Sequence, residues 1–132
     1  MLLAIDYGKK RIGLAIGTMI PKGAGTIDAS RTAEAILAIA KLCKAEEVEK
    51  IIIGLPLRSQ GEKGTIAEEI EEFADALEDV THLKVIFEPE EFTSVEAAEL
   101  IRQSGKKFDR ASGKTDELAA MLILDRYLES NP

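Results

Sequence analysis

Cysteine and histidine are almost missing from this sequence: Cys43 and His82 are each the sole example of their kind. A single cysteine excludes an intrachain disulfide and a thiolate zinc cluster. Cys43 falls among the apolar positions of a helical pattern and is expected to be a small buried hydrophobe. His82 has no partner at metal-ligand spacing and is expected on the surface. No apolar run comes near the roughly eighteen residues that a membrane span needs. No secretory leader is legible either, because Met1 runs straight into a strand pattern that closes on an acid; the cytoplasm is the expected compartment.

What is present is ordinary for a globular protein: 132 residues, 45% hydrophobic and 31% charged. That length suits one domain over 1–132 with a full core. A formal charge of −7 argues, taken whole, against a polyanionic partner. Its distribution argues differently. Between Glu46 and Glu99 sixteen acids face only Lys50, Arg58, Lys63 and Lys84. Bases gather at Lys9-Lys10-Arg11, and again where Arg102, Lys106, Lys107, Arg110 and Lys114 oppose only Asp109. The local field, not the total charge, attracts a phosphate backbone. The plainer reading of the same residues is a set of solvated loops.

Residues 2 to 5 form a short apolar run suited to a central strand, and Asp6 closes it where no core residue is needed. Gly8 allows a tight reversal into a second strand from Ile12 to Ile16. After a turn with Pro21 and Gly23, a third short strand is expected near Gly25 to Ala29. Ser30 is the expected N-cap of a helix from Thr32 to Glu47, in which Ala35, Ile36, Ile39, Ala40 and Cys43 make one buried stripe. Ile51-Ile52-Ile53 reads as a strand buried on both faces, ending in a Gly54-Leu55-Pro56 turn. Thr65 and Glu68 have capping-box spacing for a helix to Leu77, apolar through Ile66, Ile70, Phe73, Ala74 and Leu77 and acidic on its solvated side. Leu83 to Phe87 is a fifth strand, followed by the acidic cluster Glu88-Pro89-Glu90-Glu91. Thr93 and Glu96 open a further helix to about Ser104, and Gly105 to Gly113 is a basic loop. Thr115 then caps a last helix from Asp116 to Leu128, packed through Leu118, Met121, Leu122 and Tyr127.

This order predicts an α/β fold with a mixed five-stranded sheet, three antiparallel strands and then two parallel ones, and helices on both faces. The first strand is expected in the middle, beside the fourth. Ligands of open α/β sheets gather at the carboxyl ends of the strands. Asp6, the Gly54 turn and Glu88, Glu90 and Glu91 fall on that edge, and Asp116 can join them from the last helix. Acids so close repel unless something neutralises them. Oxygen donors without histidine or cysteine suit Mg²⁺ or Mn²⁺, and ions held by shared acids are the usual means of phosphodiester displacement. Singly, each acid has a plainer role: Asp6 capping a turn, Glu90 and Glu91 as exposed charges, Asp116 serving a helix dipole.

Four stretches carry a resemblance. Asp6-x-Gly8-x-Lys10-Arg11-Ile12-Gly13-x-Ala15, Ile53-Gly54-Leu55-Pro56-Leu57 with Gly61 beyond it, Glu90-x-x-Thr93-Ser94-x-x-Ala97, and Asp116-x-x-Ala119-Ala120-x-x-Ile123-Leu124 together resemble the YqgF/RuvX family, in order and over almost the whole chain. The resemblance implies a ribonuclease H-like fold and a metal-dependent nuclease. It implies processing of the 5′ end of precursor 16S rRNA in ribosome biogenesis, or alternatively cutting of branched DNA as a Holliday junction resolvase. It also implies Asp6, Glu90 and Asp116 as the catalytic acids, holding the metal as well; Glu88 or Glu91 would replace Glu90 under a shifted register. Lys9, Lys10, Arg11, Arg58, Lys106, Lys107, Arg110 and Lys114 would then guide the nucleic acid. A monomer or weak homodimer is expected, without a membrane partner.

One segment departs from the family pattern. The family reads Asp-Glu-Arg where this chain has Pro89-Glu90-Glu91, which removes a basic partner for phosphate and adds an acid that repels it. Hence a further reading, a nucleic-acid-binding protein of the same fold with weakened catalysis. The Asp-x-Gly turn also occurs in sugar-kinase and actin-like proteins, but nucleotide binding there needs two such domains and this chain has room for one.

Overall fold

The structure, a computed structural model, describes residues 1–56, 66–90 and 114–131. Its centre is the apolar N-terminal run. β1 (Leu2–Asp6) lies between β2 (Arg11–Gly17), to which it pairs antiparallel, and β4 (Lys50–Pro56), to which it pairs parallel. β3 (Lys22–Asp28) and β5 (Lys84–Glu90) complete a five-stranded sheet in the order β3-β2-β1-β4-β5. The expected mixed sheet, with three antiparallel strands followed by two parallel ones, is the observed one.

Strand alternation divides the core into two layers. Leu3, Ile5, Ile12, Leu14, Ile51 and Ile53 point to one face, where they meet α1 (Thr32–Ala45) and α2 (Ile66–Thr81). Ala4, Ala15 and Ile52 point to the other, where they meet Ala120, Ile123, Leu124 and Tyr127 of α3 (Lys114–Ser130). Helices therefore cover both faces. Ala4, Gly13 and Ala15, on the α3 side of β1 and β2, are small, so the helix comes close to the backbone there. That close approach brings the start of α3 to the carboxyl end of β1. Among the described residues no helix is long and apolar enough to cross a membrane.

Several boundaries differ from expectation. β3 starts at Lys22, three residues before Gly25. β4 and β5 do not stop at Gly54 and Phe87: Gly54 pairs with Glu88, Leu55 with Pro89 and Pro56 with Glu90, so the expected turn and acidic cluster are strand. The prolines are tolerated because β5 is an edge strand and β4 has already outrun β1 at Pro56. Ser30 does not cap α1. Arg31 stands at that position without a side-chain cap, while the Ser30 N–H donates to Asp28 Oδ1 at 2.8 Å. Hydrogen bonds from the Ser30 side chain and backbone hold the Asp28 carboxyl below the usual range.

α1 stops at Ala45, where the Val48 N–H returns to the Cys43 carbonyl and Glu47 takes φ 53. α2 continues past Leu77 to Thr81, and exposed His82 closes it at φ 60 with its N–H on the Glu78 carbonyl. Its buried residues are Ala67, Ile70, Phe73, Ala74 and Leu77. Cys43 is buried as expected. α3 begins at Lys114, so Thr115 is helical rather than the cap; its buried stripe is Ala120, Ile123, Leu124 and Tyr127, with Leu118, Met121 and Leu122 only half-buried. The helix expected from Thr93 to Ser104, the basic loop to Gly113, and Thr65 lie outside the described residues.

Candidate active site

Asp6 is the last residue of β1, facing Gly13 of β2 across the antiparallel ladder. It shares the alternation of Leu2 and Ala4, which places it on the face that α3 covers. Gly13 is where the helix lands. A side chain at Gly13 would collide with the Asp116 carbonyl and stand 2.9 Å from the Asp116 Cβ. Asp6 and Asp116, far apart in the chain, therefore flank the same glycine. On the far side of β4, Glu88 stands one step past the row formed by Ile5, Ile53 and Phe87. It has the alternation of Ile86, which also packs on the α3 side. Glu90 ends β5 as the register partner of Pro56; its side chain lies outside the described residues. Glu91 lies outside them entirely.

Asp116 carries a counter-charge. Arg11 Nε lies 3.2 Å from Asp116 Oδ2, with both side chains partly exposed. The guanidinium offsets part of the negative charge that Asp116 brings to this edge. Lys9, expected beside Arg11 to meet a phosphate backbone, is largely exposed, with Nζ 3.9 Å from Glu69 Oε1 of α2. Lys10 is exposed, and its carbonyl accepts from the Ala29 N–H at 3.0 Å, tying the turn to the end of β3. Arg58, Lys106, Lys107 and Arg110 lie outside the described residues, as does the side chain of Lys114, the first residue of α3.

Tyr7 anchors the turn after Asp6 on the opposite face. Its ring packs against Phe73 of α2 with centroids 4.9 Å apart. Burial, and then the charges of Glu69 and Glu72, push its hydroxyl above the ordinary range, so it stays protonated. Among the described residues no cluster of three acids, histidines or cysteines stands ready to hold a metal. Of the three expected acids, Asp6 and Asp116 adjoin the same residue, Gly13, while the Glu90 side chain lies outside the described residues.

Two features were missed from sequence. Gly13 reads there only as part of a motif, yet its missing side chain is what admits Asp116. Glu117 gave no signal at all, although its carboxylate accepts a hydrogen bond from the Gly25 N–H at 2.6 Å.

A sheet of this order, closed on one face by a C-terminal helix that carries an acid to the end of β1, defines the class: the ribonuclease H-like fold of the resolvases. The structure of Thermus thermophilus RuvC matches with a TM-score of 0.65 at 16% identity, covering 98% of this chain and 95% of that one. Fowlpox virus resolvase, solved with substrate Holliday junction DNA, matches with a TM-score of 0.61 at 17% identity, covering 98% and 97%. At such identities the shared property is the fold. The family is set by sequence: the RuvX model, described as Holliday junction resolvase, matches residues 1–130, and the chain belongs to the RuvX family. A relative from Chloroflexus aurantiacus named "Putative pre-16S rRNA nuclease" is 36% identical, covering 100% of this chain and 90% of its own length. One of the same name from Chlamydia felis is 34% identical, covering 100% and 92%.

Proposed function

We propose that this chain is a divalent-metal-dependent endonuclease that hydrolyses a phosphodiester bond at the 5′ end of precursor 16S rRNA in the cytoplasm. The observation that carries the reading is the placement of Asp6 and Asp116 on either side of Gly13. Glu90, at the end of the parallel neighbour strand, is the third acid of the proposed set. The donors fit a hard cation, being carboxylate oxygens with no nitrogen or sulfur among them. The Arg11 guanidinium beside Asp116 moderates the repulsion between these acids before a cation arrives. Mg²⁺ or Mn²⁺ held by Asp6, Glu90 and Asp116 supplies activation of water and stabilisation of the leaving oxygen.

The chain's own residues do the rest. β1, buried between two strands, fixes the Asp6 backbone; Gly13 fixes the start of α3 and with it Asp116. Lys9 and Arg11 exchange their acidic partners for phosphate oxygens as the strand arrives, joined by Lys10, Lys114, Arg58, Lys106, Lys107 and Arg110. An rRNA substrate is favoured because full-length relatives at 34–36% identity are named for it. Branched DNA is the second reading, favoured by the family's description and by RuvC solved with a Holliday junction. The chain acts as a monomer or a weak homodimer.

The test is cleavage of precursor 16S rRNA and of a four-way DNA junction, side by side, by wild type and Asp6→Asn with Mg²⁺ and with Mn²⁺. Cleavage of the rRNA that Asp6→Asn abolishes, with folding intact, supports the proposal. Equal cleavage by both proteins rules out this site. Cleavage of the junction alone moves the substrate to DNA.

A further inference from the structure

The register between β2 and β3 slips. Gly13 faces Thr26, yet Ala15 faces Gly23, so β3 carries one residue more than β2 across this interval. Gly25 sits within it at φ +89, a conformation that glycine enters without strain. Such a bulge takes a backbone N–H out of the ladder. Here the Gly25 N–H is met by Glu117 Oε2 at 2.6 Å, from the first turn of α3. Gly23 completes the seat: a side chain there would stand 2.5 Å from Glu117 Oε1 and 2.8 Å from its Cγ. A bulge and two glycines in the edge strand thus receive a single carboxylate, and that carboxylate adjoins Asp116 in sequence.

We infer that Glu117 is a positioning residue: its hold on the β3 bulge fixes the first turn of α3, so that Asp116 stays beside Asp6. The inference rests on the nuclease reading above. Gly13 lets the turn come close to the sheet, and Glu117 limits how far it can move away. One makes the close seat possible and the other holds the turn in it. What the position chiefly demands is reach and an acceptor oxygen; the carboxylate charge shortens and strengthens the bond, but an amide oxygen of the same reach can accept it too.

Two substitutions separate reach from charge. Glu117→Gln keeps the length and the acceptor oxygen but loses the charge; Glu117→Asp keeps the charge but falls one methylene short. With precursor rRNA and Mg²⁺, Glu117→Asp and Glu117→Ala should lose roughly ten- to hundredfold in kcat with little change in KM. Glu117→Gln should recover most of the wild-type rate. Hydrogen exchange of the Gly25 amide, read by NMR, should be slow in wild type and Glu117→Gln and fast in the other two. An Asp variant as active as wild type, or a Gln variant as slow as the Ala one, overturns the inference. Asp6→Asn, assayed alongside, reports on the nuclease reading itself. If it cleaves like wild type, that reading fails, and Gly25 exchange alone then decides whether Glu117 holds the turn.

Discussion

Replacing Gly13 with alanine probes how closely α3 must lie on the sheet. The new methyl would run into the Asp116 carbonyl and stand 2.9 Å from the Asp116 Cβ. Carbon–carbon contacts are favourable only from about 3.5 Å outward, so the start of the helix must retreat by about 1 Å. The obstacle is backbone, which has no rotamer to escape into. Overpacking of this kind costs about 1–3 kcal/mol. A displacement of about 1 Å at a reacting group costs up to about a hundredfold in rate. Gly13→Ala is therefore expected to fold, to unfold at a lower urea concentration, and to cleave precursor rRNA up to about a hundredfold more slowly. The KM for RNA should hardly change, because the lysines proposed to meet the strand are untouched. Urea unfolding followed by circular dichroism, with single-turnover cleavage, measures both effects. A variant equal to wild type in midpoint and in rate would refute the claim that Gly13 seats Asp116.

Leu124, wholly buried where α3 meets the sheet, should lose about 2–5 kcal/mol on substitution by alanine, read from chemical unfolding. A loss below about 1 kcal/mol would mean that the helix is not packed as described. Burial pushes the Cys43 thiol up to about 11, so the native protein should resist iodoacetamide at pH 8 and react once unfolded. The unfolded thiol ionises first as pH rises, so the native state binds the extra proton. Its contribution is complete below the unfolded pKa and fades as pH climbs toward about 11. Unfolding midpoints at pH 8 and pH 10.5 should fall in that order, by less in Cys43→Ala than in wild type.

The sheet order could be read from the chain because its signals are local and agree: a short apolar run ending in an acid, a tight glycine turn, then a β-branched run after a helix. The stripe of α1 was nearly as plain, since Ala35, Ile36, Ile39 and Cys43 recur at helical spacing and prove buried, while Ala40, expected with them, is only half-buried. The ends of β4 and β5 were not. Gly54, Pro56 and Pro89 are turn residues in isolation, and only the parallel pairing of the two strands beyond β1 keeps them extended. The stripe of α3 was read only in part: Tyr127 is buried and Met121 packs against the same cluster, but Ala120, Ile123 and Leu124 were not among the packing residues expected. Ala120 is too small to stand out beside Leu118 and Met121, yet its size is what lets the helix approach Ala4 and Ala15.

For the site, the placement of Asp6 and Asp116 followed from topology together with the family resemblance. The contacts that hold them did not. Arg11 and Asp116 stand near opposite ends of the sequence, and nothing local predicts their ion pair. Glu117 was invisible because its partner is a backbone N–H freed by a bulge. Gly23 read as part of a turn before the strand, not as the seat of a carboxylate.

The central claim is that Asp6, Glu90 and Asp116 meet around one cation. Anomalous diffraction from crystals soaked in Mn²⁺ tests it most directly. The account predicts a manganese peak bounded by carboxylate oxygens of all three acids and lost in Asp6→Asn. A peak elsewhere on the molecule, or three acids aimed at separate regions of the surface, would contradict it.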